Sequence, residues 1–121
     1  MDHPGFARWL DAYVDAWRTC DPDAIGALFS EDAAYRYSPW GAPLTGREAI
    51  VAAWLESPDE PGTWEAAYEP WAVEGERGVA VGISRYHDAD GEREFHNVFR
   101  CVFDSDGRCR EFTEVFAQRD R

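Results

Sequence analysis

Glu114 and Asn97 are the residues whose placement most clearly suggests chemistry. They lie on two alternating segments near the end of the chain, "REFHNVFRCVFD" (93–104) and "GRCREFTEVFAQR" (107–119). If Asp104 to Gly107 form the connecting loop, Phe103 pairs with Arg108 and Phe99 faces Phe112. Phe95, Phe99, Cys101, Phe103, Phe112 and Phe116 then share one face. A register slipped by one would turn Phe112 to the other side, and aromatic burial at about 2 kcal/mol per ring disfavours that. The favoured register sets Asn97 directly opposite Glu114 among phenylalanines. A carboxylate in such surroundings is costly unless paired or protonated, and desolvation raises its pKa. That is the raw material of acid–base catalysis. A structural hydrogen bond between the two residues, or a salt bridge from Glu114 to an arginine, would also account for the pattern. The same register puts Cys101 and Cys109 on opposite faces, as unbonded, half-buried fillers.

A second group of candidates is aromatic with polar tips. In "YRYSPWGAPLTGREAI" (35–50), Tyr35 and Tyr37 alternate onto one strand face and Trp40 follows. Buried phenols need hydrogen-bond partners, so these three residues are expected at a pocket mouth, with Arg36 pointing away. Plain packing with wet tips is the alternative. Trp9, Tyr13 and Trp17 form a stripe at four-residue spacing that reads first as core. Trp71 follows Pro70, a sign of a bulge or an edge strand, and either face of that strand could be inward. Val79, Val81 and Ile83 define one face of the next strand, continued by Arg85 and His87. If that face is inward, Arg85 could neutralise Glu114. His96 is expected on the outer face, where Val98, Val102 and Val115 suggest a homodimer contact.

These side chains need elements to carry them. Phe6, Trp9, Leu10, Tyr13, Val14 and Trp17 recur at three- and four-residue steps, which predicts a helix over 4–19. Asp21 as N-cap and Pro22 at the first position predict a short helix over 22–29. "DAAYRYSP" reads as a strand stopped by Pro39. Thr45, with Glu48 three residues later, has capping-box spacing for a third helix that buries Ile50, Val51, Trp54 and Leu55. Alternation then predicts strands over 63–75, 78–91, 93–104 and 107–119, with turns at Gly75, Asp90-Gly91 and Asp106-Gly107. Helices first and hairpins afterwards is the order of an α+β domain, read here as a single domain over 1–121.

Composition narrows the chemistry. The chain has 121 residues and a formal charge of −12, which argues against nucleic acid and against an anionic membrane surface. No apolar run approaches a membrane span, and Met1 to Gly5 has no signal-peptide character, so a cytoplasmic location is expected. The three cysteines form no CxxC pair and the three histidines are widely spaced, so no metal site is expected. There is no phosphate-binding glycine loop and no lysine, which leaves out Schiff-base catalysis.

The pattern of helix, short helix, "LFSEDAAY", a strand ending in Pro, "GREAI" opening a helix, and a meander ending in "FDSDGRCREFTEVF" resembles the nuclear-transport-factor-2-like superfamily. Within it the chain is similar to SnoaL-like proteins from about Phe6 to Gln118. The resemblance implies a cone-shaped roll: N-terminal helices packed in a curved antiparallel sheet, a pocket at the open end, and dimerisation through the outer sheet face. In ketosteroid isomerase, a relative of this shape, a first-helix tyrosine corresponds to Tyr13. The relative's base falls on Tyr37 or Ser38, and its second acid on Phe99. Neither acid is kept, so steroid isomerase activity is not implied.

The expected ligand is a small hydrophobic or aromatic molecule. Trp9, Trp17, Tyr35, Tyr37, Trp40, Trp54, Phe99, Phe112 and Phe116 would surround it. Glu114 would move a proton, Asn97 orient it, and Tyr13 donate to a developing oxyanion, without a cofactor. Isomerisation, ring closure and dehydration are the reactions considered. A non-catalytic ligand-binding or dimerisation module of the same fold is the competing expectation.

Overall fold

The computed structural model describes residues 1–119. Helix α1 (His3–Thr19) opens with the Asp2 carboxylate accepting from the Gly5 amide at 2.7 Å, an N-cap that satisfies one of the free amides of the first turn. It buries Phe6, Trp9, Leu10, Tyr13 and Ala16. Helix α2 (Pro22–Ala27) is capped by Asp21 as expected. It stops before Phe29, which instead begins strand β1 (Phe29–Arg36).

The third helix differs at its start. Thr45 is not an N-cap: with Leu44 it forms the short strand β2 (Leu44–Thr45), paired to Ala34 and Tyr35. Gly46 takes the cap position of α3 (Arg47–Glu56) at φ 97°, without a side-chain hydrogen bond. The strand pairing claims the Thr45 backbone, and the left-handed turn that follows suits only glycine. Ile50 is buried as expected, but Leu55, expected beside it, is exposed. The short helix presents only one edge to the core.

The remaining strands form the meander β3 (Trp64–Glu74), β4 (Arg77–Asp88), β5 (Gly91–Phe103) and β6 (Cys109–Gln118). All six strands make one sheet in the order β2-β1-β6-β5-β4-β3. Because β1 runs parallel to β6, the sheet is mixed rather than antiparallel throughout. The helices lie on its concave side.

The final hairpin keeps the expected faces but not the expected pairs. Phe103 pairs with Cys109, so the loop runs from Asp104 to Arg108, where the Asp104 carboxylate accepts from the Arg108 amide. A bulge between Val102 and Phe103 leaves Arg110 as the extra residue on β6. Loop and bulge each add one residue, and together they slide the strands by two. Phe99 therefore faces Glu114, and Asn97 faces Phe116. A two-residue slide preserves which side chains point inward. It also corrects the cysteines: beyond the bulge, Cys109 turns to the same side as Cys101. Both are fully buried, and both are free.

Close approach between helix and sheet relies on small residues. A Cβ on Gly78 would sit 2.6 Å from the Phe6 ring. Gly78, Ala80, Gly82 and Ser84 are the inward residues of β4, and Val79, Val81 and Ile83 face out. Phe6, Leu10, Phe99, Phe103 and Phe112 fill the space above them.

Candidate functional site

At the open end of the cone a cavity of about 420 Å³ lies between α1, α3 and the concave sheet. Each wall brings a polar-tipped group. Tyr13 comes from α1, Tyr35 and Tyr37 from β1, and Tyr68 from β3. Ser84 and Tyr86 come from β4, Asn97 from β5 and Glu114 from β6. Alternation on each strand aims these side chains at one volume. Gly82 makes room for Tyr68, whose backbone and ring occupy the space a Cβ would need.

The polar groups are connected. Ser84 Oγ donates to Asn97 Oδ1 at 2.9 Å, which turns the Asn97 amide nitrogen toward Glu114 Oε2 at 3.5 Å. Across the cavity the Tyr13 and Tyr35 hydroxyls meet at 3.3 Å. Phe112 lies beneath both rings, stacked on Tyr35 at 4.6 Å and on Tyr13 at 5.6 Å.

Glu114 has no ion-pair partner among the described residues. Burial pushes its carboxyl up to about 7, and the Asn97 amide pulls weakly the other way. A carboxylic acid near 7 holds and releases its proton at neutral pH. The phenols move upward too, first by burial. Tyr13, Tyr35 and Tyr68 lie well above their ordinary value, and Tyr86 is pushed up to about 12. At neutral pH all four are protonated donors.

The rim is charged and aromatic. Trp17 lies flat on Trp64, with ring centroids 3.6 Å apart, and its indole N–H donates to Asp59 Oδ2 at 3.0 Å. Arg93 also lines the cavity. Its Nη2 donates to Asp88 at 2.6 Å, and its guanidinium stands 5.0 Å from the Tyr86 ring centre.

The expected site residues separate into three groups. Glu114, Asn97, Tyr13, Trp17, Tyr35, Tyr37, Trp54 and Phe116 line the cavity, with Tyr37 and Phe116 half-exposed at its mouth. Phe99 and Phe112 form the buried floor and do not border the cavity. Trp9 lies further toward the closed end, donating to the Leu28 carbonyl at 3.0 Å, because the helix turn toward Phe6 faces that end of the cone. Trp40 is 96% exposed and lies outside the site, since the Ser38–Gly41 turn carries it away from the sheet.

Arg85 is likewise outside. It bonds Glu94 at 2.6 Å on the convex face and cannot neutralise Glu114. His87 is exposed on that side as well. Trp71 is 68% exposed where the β3 bulge falls between Pro70 and Ala72.

Ser84, Tyr86, Arg93 and Asp59 were not singled out from the sequence, and Tyr68 lay on the strand whose inward face the sequence left open. The signal for Ser84 and Tyr86 was the alternation of small with branched residues in "GVAVGIS". Branched residues ordinarily claim the buried face, but here the space under α1 admits only small ones.

The fold and pocket define an α+β roll of the nuclear-transport-factor-2-like kind. The sequence matches the SnoaL-like domain family over residues 10–112, and the chain belongs to that family. Among curated proteins, none matches it by sequence. Solved structures resemble it in fold. One is an NTF-2 like protein of unknown function from Burkholderia xenovorans LB400. It is 20% identical with a TM-score of 0.74, and the match covers 98% of this chain and 87% of that one. Another is an LEH-like epoxide hydrolase from M. tuberculosis. It is 14% identical with a TM-score of 0.70, and the match covers 95% and 84%. No helix of the described residues is long and apolar enough to cross a membrane.

Proposed function

We propose that this protein binds a small, largely apolar or aromatic molecule in the cone and transforms it by acid–base catalysis centred on Glu114. One observation carries this reading: a carboxyl without an ion partner, buried at the head of a cavity and pushed up to about 7. Structural ion pairs, the usual bland explanation for a shifted carboxyl, do not apply among the described residues.

Glu114 would take a proton from one atom of the ligand and return it to another. Asn97, held by Ser84, orients the carboxylate. The paired Tyr13 and Tyr35 hydroxyls would donate to the oxygen on which negative charge develops. Such a sequence serves isomerisation, ring closure or loss of water, and calls on no cofactor. Hydrolytic epoxide opening, suggested by the name of the tuberculosis relative, fits less well. It needs an acid and a base together, and Glu114 stands without a second carboxyl beside it among the described residues.

The test is turnover of aromatic and polycyclic ketone libraries by wild type and Glu114→Gln. A positioned acid–base group contributes about 10²–10⁴ in rate, so the variant should lose at least a hundredfold with its fold intact. Full activity in Glu114→Gln would return the protein to the passive ligand-binding reading. The reading extends to a homodimer through the convex face, where Val98 and Val102 are half-buried and Val115 is exposed. Light scattering should then give twice the chain mass of 13.8 kDa.

A further inference from the structure

We propose that the ligand carries a positive charge: an ammonium, quaternary nitrogen or comparable cation seated among the pocket's aromatic rings against Glu114. This rests on the pocket reading above and names its substrate class.

Two independent features point to it. The first is the balance of charge. Three charged side chains border the cavity: Glu114, Asp59 and Arg93. Arg93 is already matched by Asp88 at 2.6 Å and lies over Tyr86. Asp59 accepts only a neutral indole N–H from Trp17 at 3.0 Å, and Glu114 only a neutral amide at 3.5 Å. Two carboxyls therefore face the cavity without a countercharge of their own among the described residues. The chain as a whole carries −12, so the surrounding field adds in the same sense. An anionic ligand would meet repulsion from Asp59 and from ionised Glu114, whereas a cation would give both a countercharge.

The second feature is the wall material. Tyr13 and Trp54 meet at 84°, and Tyr13 and Tyr68 at 82°. All three rings border the cavity, and ring faces carry the negative end of the quadrupole. Aromatic walls of this kind favour cations, most strongly when water is excluded. Neutral apolar ligands need only greasy walls. Leucine or isoleucine would serve them, with no buried phenols to satisfy.

The inference also bears on catalysis. A cation beside Glu114 favours its carboxylate form, so a charged substrate would ionise the base that acts on it. The groups facing Glu114 allow this. Tyr13 from α1, Tyr35 and Tyr37 from β1, Tyr68 from β3 and Tyr86 from β4 are all raised above 10 and remain neutral. Asn97 from β5 does not titrate. Asp59 and Arg93 stand at the rim.

The experiment compares three probes of nearly one shape: phenyltrimethylammonium, tert-butylbenzene and benzenesulfonate. Binding is followed by tryptophan fluorescence at pH 7.5, with Trp17 and Trp54 as reporters. The cation should bind at least tenfold more tightly than the neutral hydrocarbon, and benzenesulfonate most weakly. Glu114→Gln should cut cation affinity about tenfold or more and leave tert-butylbenzene within about twofold. If the hydrocarbon binds as well as the cation, if the sulfonate binds best, or if Glu114→Gln leaves the cation preference unchanged, the inference is overturned while the pocket reading survives. If none of the three binds, both fall.

Discussion

The two ends of the cone use the same strands for opposite purposes. At the closed end, Phe6, Leu10, Cys101, Phe103 and Cys109 pack without a polar side chain among them. Two residues further along the inward face of β5, beyond Phe99, lies Asn97, and the matching step on β6 goes from Phe112 to Glu114. Helix α1 repeats the change, from Phe6 and Leu10 to Tyr13 and Trp17. The switch falls at the same level on every element, with Phe99 and Phe112 as the floor between. One end supplies the stability that lets the other keep a carboxyl and several phenols out of water, each of which costs free energy unless paired.

The contrast can be broken from either side. The largest effect is expected at the closed end. Phe103→Ala empties a fully buried position between Phe6 and Trp9, and should cost about 3–5 kcal/mol in denaturant unfolding. A loss below 1 kcal/mol would mean that the closed end is not the stabilising half.

Next comes pH. The Glu114 carboxyl is raised from about 4.5 to about 7 in the folded protein, so the folded state holds its proton more tightly than the unfolded one. The resulting stability is fully present below about 4.5, fades as pH rises, and is gone above about 7. It amounts to about 3 kcal/mol. Glu114→Gln should therefore flatten the wild-type decline in unfolding free energy between pH 5 and 8. Parallel profiles for the two proteins would show a carboxyl open to water.

The smallest change is expected for Tyr13→Phe. The 3.3 Å contact to Tyr35 is long, so stability should move by less than about 1 kcal/mol. Turnover should fall about a hundredfold if the hydroxyl meets an oxyanion. Equal turnover would sharpen the comparison by making Tyr13 part of the packed half.

How much of this was legible depended on whether a short-range rule was enough. The face occupied by Glu114 and Asn97 followed from period-two alternation and from the cost of exposing phenylalanines. Their pairing did not. The Asp104 loop and the bulge at Arg110 arise from backbone hydrogen bonding that no hydrophobic pattern records. The Thr45 cap was lost to a strand pairing with Ala34, and Trp40 to a turn. The inward face of β4 was the hardest to read. Its small residues are inside because Phe6 rests on Gly78, a contact between residues far apart in the chain.

Local sequence thus determined the order of elements, the caps of the first two helices and the inward parity of the last two meander strands, because these depend on neighbours within a few residues. The tertiary structure decided that one helix and four strands would aim their phenols and the Glu114 carboxyl into a single cavity. It also decided that Arg85 would lie on the far side of the sheet from Glu114. Burial, and the lack of a countercharge among the described residues, are properties of the assembled volume, and they are what turn an ordinary glutamate into an acid near neutrality.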